Sequence, residues 1–194
     1  MPGNPPPFDN ETDGLLLYLV QQRDGLRFAA YGLTEDQLRE AAAPASALTV
    51  GGLLKHASLT ERGWIDILSG APTEKSDEEY GSDFVVGENE SLESLLALQA
   101  EVAAHTEQVV RALPDLGVEV RLPEAPWYPQ NPSGYSARWI LLHVIEEVAR
   151  HAGHADIVRE HLDGATMYEL MAGAEGWPAT DWLTPWQPPE ARAD

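Results

Sequence analysis

The stretch Ser136 to Asp163, SARWILLHVIEEVARHAGHADIVREHLD, contains no proline, has Gly153 as its only glycine, and holds four of the six histidines. At about 100° per residue, His143, Glu147, His151, His154 and His161 share an arc of roughly 80° on a helical wheel. Ile140, Val144, Val148, Ala155, Val158 and Leu162 lie in the same half of the wheel. The pattern predicts a long helix whose apolar face is bordered by imidazoles and one carboxylate. A buried polar group needs a partner, so this row is where function is sought. Glu147 and His151 are four residues apart, hence neighbours on one face, and can grip one metal ion as a two-ligand clip. Glu146 lies about 100° around the helix and is expected to face solvent.

A second histidine stands in a comparable place. Ser46 to Ser69 reads as another helix, with Thr49 as its N-cap. On its wheel His56 falls with Leu53, Thr60, Trp64 and Ile67 on the core-facing stripe, whereas Lys55, Glu61, Arg62 and Asp66 point elsewhere. His56 is therefore the natural third ligand beside Glu147 and His151. Taken singly, each of these histidines also fits a hydrogen-bonded core or edge position.

The rest of the chain supplies further helices. Leu15 to Ala30 is periodic but interrupted by Gly25, Thr34 to Ala42 opens on a capping box with Gln37, and Ser91 to Leu113 has acidic residues early and Arg111 late. His105 on the last of these is expected at the surface or edge. Residues 1–14 read as a flexible N-terminal arm, 15–172 as one helical domain, and 173–194 as an irregular tail rich in Trp and Pro. Gly70 to Glu90 reads as an acidic surface loop from which Phe84, Val85 and Val86 are expected to pack inward. Pro114 to Tyr135, with Trp127 and Tyr128, reads as a stiff aromatic loop, either a packed connection covering the end of the bundle or a roof over the site. A short helix is expected over Thr166 to Ala172, and the three Trp of the tail on the outside of the bundle or across an interface. The sum is an all-α, four-helix bundle with a long crossover loop between helices 3 and 4.

Composition narrows the function. The 194 residues carry 43% hydrophobic side chains and a net charge of −20, which disfavours nucleic acid and anionic membranes as partners. There is no apolar run long enough to span a membrane, and no signal-peptide pattern opens the sequence, so a soluble cytoplasmic protein is expected. With no cysteine, any thiol chemistry must borrow its sulfur. Arg138 and Arg159, on the organising helix, are read as solvent-facing. Leu142, Ile145 and Ile157, off the histidine face, allow a homodimer.

Two segments, GGLLKHASLTERGW over residues 51–64 and LLHVIEEVARHAGHADIVREHLDG over residues 141–164, resemble the DinB-like superfamily of metal-binding four-helix bundles. They are most similar to the branch related to mycothiol-dependent maleylpyruvate isomerase. The resemblance spans roughly residues 15–170 and implies a divalent metal, zinc first and nickel second, held by one residue of the second helix and two of the last. Carried to this sequence, the ligands are His56, Glu147 and His151. Glu147 departs from the all-histidine pattern and matches the His-Glu-His set of the isomerase. His143 and His154 are placed beside the ligands as supporting groups. The implied activity is metal-dependent transfer or isomerisation, with a small cellular thiol such as mycothiol as co-substrate and an electrophilic small molecule as partner. A non-catalytic metal- or ligand-binding protein and a metal-hydroxide hydrolase remain as alternatives.

Overall fold

The Asn10 side chain accepts the Asp13 N–H at 2.9 Å and so opens the first helix, α1, Glu11–Ala29. The helix thus starts four residues before Leu15, where periodicity alone placed it, because its first turn is made by a polar cap. The structure, a computed structural model, describes residues 3–71, 81–122 and 134–188. Trp127 and Tyr128, read as part of a packed connection or a roof over the site, lie outside the described residues.

Caps set the other boundaries. Thr34 and Gln37 close a capping box on the single-turn α2, Glu35–Leu38. Thr49 accepts the Gly52 N–H at 3.0 Å to begin α3, Val50–Ser69, which ends on the left-handed Gly70. Ser91 caps α4, Leu92–Ala112, and Ser136 caps α5, Ala137–Asp163, which ends on Gly164. After Thr166 comes α6, Met167–Glu175. The crossover from α4 to α5 carries a two-residue antiparallel pair, β1 (Glu119–Val120) with β2 (Tyr135–Ser136).

The long helices α1, α3, α4 and α5 form the bundle. α5 packs against both α1 and α3, and α3 packs also against α4. Leu19, Leu26, Leu53, Leu54, Ile65, Leu95, Ile140 and Leu141 are fully buried between them, each contributing about 1.5–3 kcal/mol by leaving water. Gly25 is tolerated inside α1 because the chain there presses on α5: a Cβ at that position would lie 3.2 Å from the Ala152 Cβ. The adjacent Gly51 and Gly52 have a similar role in α3. A Cβ on Gly51 would meet the Leu38 side chain at 2.7 Å, and one on Gly52 would sit 2.1 Å from the Phe84 carbonyl oxygen.

Two charged residues depart from the sequence reading. Glu61, expected to point away from the core, is 2% exposed. It accepts two bonds from Arg23 at 2.9 and 2.5 Å and a third from the Thr106 hydroxyl, while Gln99 donates to the Arg23 carbonyl. Arg159, read as solvent-facing, is 0% exposed. Its guanidinium donates to the Ala29 and Tyr31 carbonyls, both at 2.8 Å, pairs with Asp163 at 2.9 Å and lies 4.7 Å from the Trp186 ring. Glu61 is inside because Arg23 from α1 satisfies its charge, and Arg159 because Asp163 on its own helix does so while the Ala29 and Tyr31 carbonyls take its remaining donors. Trp186 therefore packs inward, also against Tyr31, whereas Trp182 is largely exposed. Leu142 and Ile157 are exposed, and Ile145 packs on the core.

Candidate functional site

Along α3 and α5 two rows of side chains face each other, each row advancing four residues at a time. On α3 they are His56, Thr60 and Trp64; on α5 and its entry, Tyr135, Trp139, His143, Glu147 and His151. Spacing of four stacks side chains one above another on a helix face. The rows run antiparallel. His56 meets His151 edge-to-face with ring centroids 4.7 Å apart, and Trp64 meets His143 at 4.7 Å and Trp139 at 5.7 Å. This register sets Thr60 at the level of Glu147.

The imidazole end is closely built. Phe84 stacks on the His56 ring at 3.7 Å with an 18° interplanar angle and touches His151 at 5.9 Å. Its loop is held to α3 by the Lys55 ammonium, which donates to the Val85 carbonyl and the Glu90 carboxylate, both at 2.9 Å. The Thr60 hydroxyl lies 3.4 Å from His56 Nε2. On α5, Glu147 sits between two imidazoles: Oε2 is 3.6 Å from His151 Nε2 and Oε1 is 3.8 Å from His143 Nε2. His154 lies 5.6 Å from His151, ring to ring. His161 is exposed at the far end of the helix, and His105 pairs with Asp66 at 3.2 Å on the surface of the α3–α4 pair. Glu146 is exposed, as its wheel position requires.

Burial pushes the His151 imidazole below the usual histidine range; the Glu147 charge opposes this, and His154 and Arg150 add to it. His151 and His154 each keep a buried Nδ1 without a hydrogen-bond partner among the described residues. Such orphaned buried nitrogens need an explanation, and for His151 a bound cation would supply one. As they stand, no three His, Asp or Glu side chains among the described residues are gathered closely enough to hold an ion. The donor set nonetheless fits a divalent metal in kind: two imidazoles and one carboxylate, from two helices, with one position left open.

One turn beyond the site, half-buried Asp156 has its carboxyl pushed up to about 6 by burial and by the neighbouring Glu160. Between about pH 4 and pH 6 the folded protein keeps a proton that the unfolded chain has lost, so this group's contribution to stability falls as pH rises through that window. Asp156→Asn is therefore expected to stabilise the protein by about 1–3 kcal/mol near pH 8 and by almost nothing near pH 4. Urea denaturation at the two pH values measures the difference, and an equal gain at both contradicts it. His151 acts in the opposite sense. Its folded pKa is depressed, so the unfolded chain takes up the proton first and stability is lost as pH falls through the ordinary histidine range.

The model of the mycothiol-S-transferase family, a DinB-like family, matches residues 14–164. The chain belongs to the mycothiol-S-transferase family. That match contains both facing rows in full. A solved structure described as a conserved protein of a locus from Enterococcus faecalis shares the fold at a TM-score of 0.63 and 16% identity, covering 81% of this chain and 100% of the other. No curated protein matches the chain. Among the described residues, no helix of this mycothiol-S-transferase family member is long and apolar enough to cross a membrane.

The sequence reading grouped His56 with Glu147 and His151; in the structure His56 meets His151 across the seam, and Glu147 lies 3.6 Å from His151 along α5. It gave Phe84 as packing inward but not its stacking on His56, which depends on the close approach of the Phe84 carbonyl to Gly52. It also missed the continuation of the row through Trp139 to Tyr135. The four-residue spacing of Tyr135, Trp139, His143 and Glu147 was the signal that could have found it.

Proposed function

We propose that the α3–α5 seam transfers a small cellular thiol of the mycothiol kind onto an electrophilic small molecule, or uses that thiol to isomerise it. The observation that carries this reading is the contact of His56 with His151, one turn from Glu147, in a cysteine-free chain of the mycothiol-S-transferase family. His56, Glu147 and His151 would hold a divalent ion, zinc first and nickel second. Bound there, such an ion supplies positive charge that lowers a thiol's pKa and so raises the fraction present as thiolate, the nucleophilic form.

The chain's own residues contribute position and dryness. Burial keeps His151 neutral at neutral pH, the form able to ligate. His143, stacked on Trp139 at 5.2 Å and 15° and edge-on to Trp64, is held 3.8 Å from Glu147 Oε1, where its charged or N–H form would orient the carboxylate. His154 supports His151 from the next turn. Phe84 covers His56 and excludes water from that side, which strengthens electrostatic interactions inside. In the transfer, the thiol loses its proton to solvent, the sulfur lone pair forms the bond to carbon, and the leaving group departs with its bonding pair.

The test is thiol consumption with an electrophile, measured on zinc-loaded and chelator-treated protein, beside metal content by elemental mass spectrometry. About one metal per chain and a rate that chelation removes are expected. Equal rates with and without chelation would discard the metal-dependent reading.

A further inference from the structure

Beyond Glu147, the facing rows become wholly aromatic. Trp139 stacks on His143, Tyr135 leans on Trp139 at 4.5 Å and 50°, and Trp64 closes the corner at 5.7 Å. Trp64 is buried, but Trp139 and Tyr135 are only half-buried, so part of each ring meets water beside the imidazole end. Half-buried indole and phenol rings offer flat apolar area and π faces.

The charges around this wall have a single sense. Lys55, next to His56, spends its ammonium on Val85 and Glu90. Arg62 pairs with Glu101, Arg138 with Glu11 and Arg150 with Glu146. Glu146 and Glu147 stand at the site in a chain of net charge −20, a field that repels anions. Arg121 follows Val120, the strand partner of Tyr135, and forms no ion pair among the described residues.

We infer that the electrophile taken at this seam is a flat, uncharged aromatic or conjugated molecule, selected by Trp139 and Tyr135 rather than by a cation. This rests on the transfer reading above and adds the substrate class. An anionic substrate would need a free guanidinium or ammonium at the site; Lys55, Arg62, Arg138 and Arg150 are already engaged, which leaves only the exposed Arg121 to offer one among the described residues.

The test separates binding from turnover. Two unreactive probes, dinitrobenzene and dinitrobenzoate, differ by one carboxylate. Calorimetric titration of the full chain is expected to give dinitrobenzene a Kd about tenfold tighter than dinitrobenzoate. Trp139→Leu, which keeps apolar volume, should weaken dinitrobenzene by about tenfold and leave metal content at the wild-type level. Tyr135→Leu serves the same purpose should Trp139→Leu fail to fold, judged by circular dichroism. In turnover the reactive pair is chlorodinitrobenzene and chlorodinitrobenzoate: the thiol sulfur bonds to the ring carbon, chloride leaves with the bonding pair, and the thiol proton passes to solvent. Tighter binding of dinitrobenzoate, lost in Arg121→Ala, overturns the inference, as does an unchanged dinitrobenzene Kd in the folded wall variant. A protein that binds metal and consumes thiol but prefers the carboxylate loses only the substrate class. One that shows the neutral preference but neither metal nor turnover loses the transfer reading and keeps the wall.

Discussion

A Glu61→Ala protein is expected to be about 3–5 kcal/mol less stable than the wild type, because it leaves the Arg23 guanidinium buried without its counter-charge. That is a large share of the roughly 5–15 kcal/mol that holds a domain folded. The same substitution strands the Thr106 hydroxyl. Arg23→Leu combined with Glu61→Leu removes both charges together and is expected to be near neutral, since the pair's attraction is largely offset by its desolvation. Urea unfolding of the single and double variants measures the contrast. A single-variant loss below about 1 kcal/mol would mean that water reaches Arg23 and the pair is not effectively buried.

The second large effect belongs to the seam. His56→Ala, His151→Ala and Glu147→Gln are each expected to lose bound metal and to lower thiol transfer by at least about a hundredfold, with His143→Ala costing about tenfold to a hundredfold. The larger effects come from lost donors, and the smaller one from a carboxylate left free to rotate. Melting temperature separates loss of function from loss of fold: the wild type should gain stability on loading with zinc, and the three donor variants should not. Variants that stay folded, keep about one metal per chain and turn over normally would place the metal elsewhere.

The bundle was legible because its boundaries are written locally. Thr34 with Gln37, Thr49, Ser91 and Ser136 are caps that act within three residues, and the apolar stripes between them need no distant information. That His56 and His151 both lie on the faces where α3 and α5 meet was legible for a related reason, since each sits on the core-facing stripe of a long helix. Glu61 and Arg159 were not. On a wheel a lone Glu or Arg reads as solvent-facing, and what reverses that is a partner far away in sequence: Arg23 for the first, the Ala29 and Tyr31 carbonyls and Trp186 for the second. Phe84 was half legible. Its apolar character said that it would pack inward, but not that its ring would lie on His56.

The glycine pair of α3 bears on how this molecule can move. Helices in bundles shear by sliding along one another, and a one-turn slide of α3, about 5.4 Å, would replace His56 by Thr60 at the level of His151 while leaving a largely apolar stripe in the core. Gly51 and Gly52 oppose that slip. They sit where Leu38 and the Phe84 carbonyl leave no room for a Cβ, so such a slide would push Lys55 and His56 into the gap that only a bare backbone fits. The pair works as a detent. It fixes the longitudinal position of α3, so the register between the two rows is held by bare backbone rather than by side chains.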